Sequence, residues 1–238
     1  MLYQDIELNN TINSVMITYE RFLKEGVYDP NIFKAVFMAG GPGSGKSHIA
    51  GKAVGGLGLK VINSDDAFER FLDKEGLSLK MPDSETIPRD IERERAKKVT
   101  ASKKYLAVRG RLGIIIDGTG HKYDKIVGPA AMLQQLGYET SMVFVNTSLE
   151  VALYRNEQRA RSVKPTLVKK SWQDVQNNMG KFQNYFGASN FFIVDNNGFE
   201  EDMLEISTKH IRKAIKSPVN NERAKAWIAN EMKKKRRT

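Results

Sequence analysis

The stretch Gly40-Gly41-Pro42-Gly43-Ser44-Gly45-Lys46-Ser47 decides how the rest of this 238-residue chain is read. It follows an apolar run, Ala35-Val36-Phe37-Met38-Ala39, and precedes a segment of helical character. That is the strand, glycine loop and helix context the pattern G-x-x-x-x-G-K-[ST] requires. Glycines let successive backbone N–H groups turn inward around an anion, and the helix that follows points the positive end of its dipole at the same place. The loop is therefore expected to hold the phosphates of a nucleotide, with Gly41, Gly43, Ser44, Gly45 and His48 as contacts. Lys46 would reach the outer phosphates, and the Ser47 hydroxyl would help hold Mg²⁺.

Composition sets the bounds. Hydrophobic residues make up 40% of the chain, enough for one large domain with appendages and a core of its own. Cysteine is absent, which excludes disulfide frameworks, thiolate metal sites and cysteine nucleophiles and agrees with a cytoplasmic setting. Asp5 and Glu7 stand where an export signal would carry basic residues, and no apolar run approaches the roughly 18 residues of a membrane span. The formal net charge of +10 favours a polyanionic partner, nucleic acid first. Half of that charge comes from Lys233-Lys234-Lys235-Arg236-Arg237, and terminal runs of this kind are most often solvated tails.

Hydrophobic periodicity predicts an amphipathic helix over residues 10–24, within an N-terminal helical extension of residues 1–30. Strands are expected at 34–38, 59–62, 113–117, 141–145 and 191–195, and helices at 46–54, 67–71, 89–108, 124–136, 148–161 and 166–186. Two further helices, at 201–215 and 221–233, would follow a core spanning residues 31–200, with the segment 148–187 as a helical flap. The polar stretch 74–88 reads as a surface loop or lid. In the long helix after it, Ile91, Val99, Ser102 and Leu106 mark a sparse inner stripe opposite Arg93, Arg95, Lys97, Lys98, Lys103 and Lys104. Strands alternating with helices predict an α/β three-layer sandwich of about five parallel strands.

Three features go beyond nucleotide binding. Asp65 and Asp66 end the second strand, where a carboxylate can take the proton of an attacking hydroxyl; Asp65 is the expected base and Asp66 the expected helix cap. Asp117 ends a strand of aliphatic residues and could organise Mg²⁺ or contact substrate. Arg155 and Arg159, four apart and so on one helical face, could meet charge developing on a transferred phosphoryl group, with Arg161 left open.

Taken in order, Gly40 to Ser47, Asn63-Ser64-Asp65-Asp66, Ile116-Asp117-Gly118-Thr119 and Arg155-Asn156-Glu157-Gln158-Arg159 resemble the P-loop kinases grouped around the phage-type polynucleotide 5′-kinase and the zeta toxins. The resemblance covers residues 34–198 and implies a nucleoside-kinase-like P-loop NTPase fold using ATP and Mg²⁺. It also implies Asp65 as general base, Lys46 and Ser47 as γ-phosphate and Mg²⁺ ligands, Arg159 as a transition-state cation and Asn196 near the nucleotide base. Two positions depart from the pattern: Phe68 stands where the polynucleotide kinase branch has an arginine, and Gly120-His121-Lys122 matches the zeta branch only loosely. The expected activity is transfer of the γ-phosphoryl group to a hydroxyl of a nucleic acid or nucleotide-like acceptor. The alternatives are a zeta-like kinase of a UDP-sugar and an NTP-hydrolysing switch or nucleic-acid-binding module that transfers nothing.

Overall fold

Strand β1 (Lys34–Ala39) is buried along its whole length, because it lies at the centre of a sheet covered on both faces. The computed structural model describes residues 26–54, 57–159, 161–198 and 200–236; the helix expected at 10–24 lies outside them. The other strands are β2 (Lys60–Ile62), β3 (Ile114–Asp117), β4 (Glu139–Asn146) and β5 (Phe191–Asp195). All pairings are parallel, in the order β2-β3-β1-β4-β5.

Alternation along β1 sorts its side chains between two cores. Ala35, Phe37 and Ala39 join Ile114, Met142 and Phe144 beneath helices α4 (Asp124–Gln135) and α6 (Pro165–Phe186), whose Ile126, Ala130, Leu133, Val175 and Phe182 complete the layer. Val36 and Met38 face the other way, with Ile115, Val143, Val145 and Val194, against Ile49 and Ala50 of α1 (Lys46–Val54) and Ile211 and Ile215 of α7 (Glu200–Lys216). The sandwich is thus the three-layer α/β fold of five parallel strands that the strand and helix alternation predicts. Helix α8 (Glu222–Lys235) docks through Ala224 and Trp227, whose ring meets Phe33 edge-on at 5.5 Å. The lysines at 233–235 therefore lie on an ordered helix, and Lys235 sits over the Tyr28 ring at 4.6 Å.

A third, smaller core joins α2 (Asp65–Lys74) to α3 (Thr86–Arg109). Here the structure corrects two expectations. The loop between these helices is shorter than 74–88, since α3 begins at Thr86 and Leu77, Leu79 and Met81 pack against the α2–α3 core. The face of α3 is also turned: Ile91 is 61% and Val99 43% exposed, whereas Glu92, Ala96 and Ala107 are buried. Phe68 and Leu72 of α2 supply the volume of this contact, so α3 meets them with the small Ala96, and Arg93 lays its guanidinium on the Phe68 ring at 3.7 Å. Phe68 is fully buried and is the keystone of this unit. Phe68→Ala should lower stability by about 3–5 kcal/mol through the cavity it leaves, measured by chemical denaturation.

Candidate active site at the carboxyl ends of the strands

The loop after β1 closes onto α1 in a conformation only glycine tolerates. Gly43 and Gly45 have φ of +80° and +83°, and a Cβ at Gly43 would fall 2.2 Å from the Ala152 carbonyl of helix α5 (Leu149–Glu157). A Cβ at Gly45 would fall 2.4 Å from Nδ2 of Asn196. That amide donates to the Ser44 carbonyl at 2.6 Å, so Asn196, buried just past β5, clamps the loop from behind and is not among the residues lining the cavity in front of it. Trp172 of α6 backs Gly41 and donates through Nε1 to the Thr147 carbonyl at 2.8 Å.

The cavity has a volume of about 420 Å³ and is lined by Gly41, Gly43, Gly45, Lys46, Ser47 and His48 on one side and Tyr154, Arg155, Gln158 and Arg159 on the other. Helix α5 ends at Glu157, earlier than the expected 161, so Arg159 lies just beyond it; it still reaches the same cavity as Arg155. The Arg155 guanidinium donates to the Asn196 carbonyl at 2.8 Å, whereas Arg159 is exposed.

On the other side of Lys46, Asp117 collects the loop. Its Oδ2 accepts from the Ser47 hydroxyl at 2.9 Å and from Asn63 Nδ2 at 3.2 Å, and its Oδ1 lies 3.8 Å from Lys46 Nζ. Oδ1 is buried and accepts no hydrogen bond. Among the described residues no group of three or more His, Asp or Glu side chains could enclose a metal ion. One hydroxyl and one carboxylate oxygen fit Mg²⁺, a hard cation that keeps water and substrate phosphate oxygens in its shell.

Strand β3 lies between β1 and β2, so Asp65 is not directly beside the loop as strand neighbourhood alone would have it. Asn63 makes the link: while its Nδ2 meets Asp117, its Oδ1 accepts from the Asp65 backbone N–H at 2.8 Å. The helix cap is also corrected, because Ser64 holds the N-cap position and Asp65 and Asp66 lie in the first turn of α2. The Asp65 carboxylate is clasped on both oxygens: Arg93 Nη1 meets Oδ1 at 2.9 Å and Arg161 Nη2 meets Oδ2 at 3.2 Å. Arg161 also holds Glu69 at 2.9 Å. Burial alone would raise the Asp65 pKa, but Arg161 and Arg93 together outweigh it and hold the carboxyl below its ordinary 3.8.

The expected residues thus form two groups around Lys46: Arg155 and Arg159 at the cavity, and Asp117 and Asp65 beyond it. Asn63 and Arg93 carry contacts that sequence reasoning did not assign to them. Asn63 was visible only as a polar residue before the acids, and Arg93 as one of several cations on a helix.

A family model described as an AAA domain, AAA_33, matches residues 36–181, and the chain belongs to this family. No curated protein matches the sequence significantly. Among solved structures, a candidate kinase from Chloroflexus aurantiacus superposes with a TM-score of 0.54 at 15% identity, covering 76% of this chain and 97% of that one. A structure from the PezAT toxin-antitoxin system of Streptococcus pneumoniae superposes equally well, at 0.54 and 14% identity, covering 85% and 96%. A gluconokinase from Sinorhizobium meliloti 1021 gives 0.48 at 15% identity, covering 78% and 95%. At these identities the first two likenesses show the fold alone.

The contact at Ala152 leaves Gly43 no room for a side chain. Gly43→Ala should lower nucleotide affinity at least about tenfold, while Asn196→Ala, which frees the loop from its clamp, should cost about 1–2 kcal/mol of binding or stability. Calorimetric titration with ATP and thermal unfolding of both variants would check this.

Proposed function

We propose that this member of the AAA_33 family is an ATP- and Mg²⁺-dependent kinase that transfers the γ-phosphoryl group to a hydroxyl of a nucleic acid or nucleotide-like acceptor. The single observation that carries the reading is the run of contacts from Lys46 through Asp117 and Asn63 to Asp65. A nucleotide-binding module needs the first two of these groups. It has no use for an ionised acid held at a fixed place beyond them.

In this reading the phosphate loop cradles the β- and γ-phosphates with its backbone N–H groups, and Lys46 meets the outer oxygens. Ser47 and Asp117 would hold Mg²⁺, which neutralises charge on the phosphate oxygens when bound. Asp65 orients the acceptor hydroxyl for in-line attack and accepts its proton as the oxygen bonds to phosphorus and ADP departs. Because two guanidinium groups hold both its oxygens, Asp65 is a fixed, weakly basic carboxylate, suited to a loose transition state in which the proton leaves late. Arg159, exposed at the cavity, supplies a cation for the charge on the transferred group, and Arg155 frames the same wall from its anchor on Asn196.

Transfer from labelled ATP to a panel of 5′-hydroxyl oligonucleotides and sugar nucleotides tests the proposal. The absence of transfer to every member, with ATP binding intact, would overturn it; product on UDP-sugars alone would select the zeta-like alternative. Asp65→Asn should reduce transfer about 10²–10⁴-fold with nearly unchanged ATP affinity, and full turnover in that variant would remove Asp65 from the mechanism.

The pH dependence follows from the clasp. With its carboxyl held below 3.8, Asp65 stays ionised through the neutral range and places no acid limb there. Arg161→Gln removes one of the two cations that lower the pKa and leaves burial to raise it, so the acid limb of kcat/KM should move to higher pH. Profiles of the wild type and the variant between about pH 4 and 9 would show the shift.

A further inference from the structure

Two backbone contacts join β1 and β3 past the end of their ladder. Gly118 N–H donates to the Met38 carbonyl and Gly40 N–H donates to the Thr119 carbonyl, both at 3.1 Å. Gly118 follows Asp117, and Gly40 opens the phosphate loop. The turn after β3 therefore sets where the Asp117 carboxylate and the entrance of the loop stand relative to each other. It lies tight on β1: Gly120 has φ of +82°, and a Cβ there would fall 2.9 Å from Cβ of Ala39.

One buried amide holds this turn from α6. Asn178 is 7% exposed, and its Nδ2 donates to the carbonyls of Gly120 and His121, each at 3.1 Å. Both hydrogens of the amide are thereby used on successive residues of the turn. An apolar side chain of the same size would leave both carbonyls without this donor. The helix that carries Asn178 is fixed in turn. Val168, Val175 and Phe182 are buried, Trp172 donates to the Thr147 carbonyl, and Gln176 Nε2 donates to Asn146 Oδ1 at 2.9 Å at the end of β4. Asn178 is not among the residues lining the nucleotide cavity, so its influence on a ligand passes through the turn.

That influence is large if the turn moves. Asp117 meets the Ser47 hydroxyl at 2.9 Å and the Asn63 amide at 3.2 Å, contacts that a shift of the strand end would break. Misplacing a binding group by roughly 1 Å can cost about a hundredfold.

We infer that Asn178 is a positioning residue for the nucleotide site. Its amide fixes the turn after β3, and through that turn it fixes the Asp117 carboxylate and the Gly40 end of the phosphate loop in the arrangement a Mg²⁺-nucleotide requires. The inference rests on the reading of Ser47 and Asp117 as the Mg²⁺ site and not on transfer to an acceptor. A side chain that served only to seat α6 in the sandwich would be indifferent to the metal.

Calorimetric titration of the full chain with a non-hydrolysable ATP analogue, in excess Mg²⁺ and in EDTA, reads the gain in affinity that the metal brings. Asn178→Leu keeps the size of the side chain and removes both donors; it should lose at least about tenfold of that gain. Asn178→Ser, the milder change, keeps one hydroxyl donor and should lose part of it. Gln176→Leu removes a polar contact of the same helix to β4 and should leave the gain unchanged, whatever it does to thermal unfolding. Amide hydrogen exchange on the nucleotide-free chain is the second readout. Gly40 and Gly118 should exchange about tenfold faster in Asn178→Leu, while the β1–β4 ladder exchanges as in the wild type. A folded Asn178→Leu or Asn178→Ser chain with an unaltered gain would overturn the inference. So would unaltered exchange at Gly40 and Gly118, or an equal loss of the gain in Gln176→Leu. The metal reading fails separately: a wild-type chain with no gain from Mg²⁺ would remove Ser47 and Asp117 as its ligands, and exchange at Gly40 and Gly118 would then decide the role of Asn178 by itself.

Discussion

Asp117 is almost wholly removed from water at the end of β3, with its side chain 3% exposed, and a carboxylate in that position must be compensated by its neighbours. The compensation comes from three groups: the Ser47 hydroxyl, the Asn63 amide and the Lys46 ammonium. One anion thereby draws the loop after β1, the end of β2 and the end of β3 to a common point. The remaining features of the site follow from how tightly those three are held. Asp65 is placed by the same Asn63 that touches Asp117, and the loop is held from behind by Asn196.

The two sides of the site differ in how they are built. The phosphate-loop side rests on the main sandwich, where glycines approach α5 and Asn196 too closely for any side chain. The Asp65 side rests on the separate α2–α3 core and is joined to the segment after α5 by ion pairs, Arg161 to Asp65 and Glu69. Close packing fixes the loop, whereas charge-assisted hydrogen bonds from Arg93 and Arg161 fix the Asp65 carboxylate. The replacement of an expected arginine by Phe68 fits this division: Phe68 goes into the α2–α3 core, and a cation still reaches Asp65 through Arg93, stacked on that same ring.

Much of this was legible before any coordinates. The glycine loop, the apolar strand leading into it and the acid ending β3 all announce themselves over a few residues, because backbone conformation and burial restrict residue choice locally. The face of α3 was not legible. Periodicity favours large apolar residues as the inner stripe, but the contact with Phe68 and Leu72 demanded a small residue, so Ala96 faces inward and Ile91 faces out. The arginines were equally ambiguous. A guanidinium beyond a helix end can join a cavity, as Arg159 does, or an acid on another element, as Arg161 does, and local spacing does not separate the two.

The sequence by itself determined a phosphate-binding loop, a parallel sheet covered by helices and an acid at each of two strand ends. Those properties depend on chemistry within one element: φ angles open to glycine, alternation of apolar residues, and the turn that follows a strand. Tertiary structure decided that β3 separates β1 from β2, that Asn63 bridges the gap, and that Arg93 and Arg161 clasp Asp65. Those contacts join residues 28 apart for Arg93 and Asp65 and 92 apart for Arg161 and Glu69. Pairings at such separations are set by which surfaces pack and which buried charges must be neutralised, and no local pattern encodes that choice.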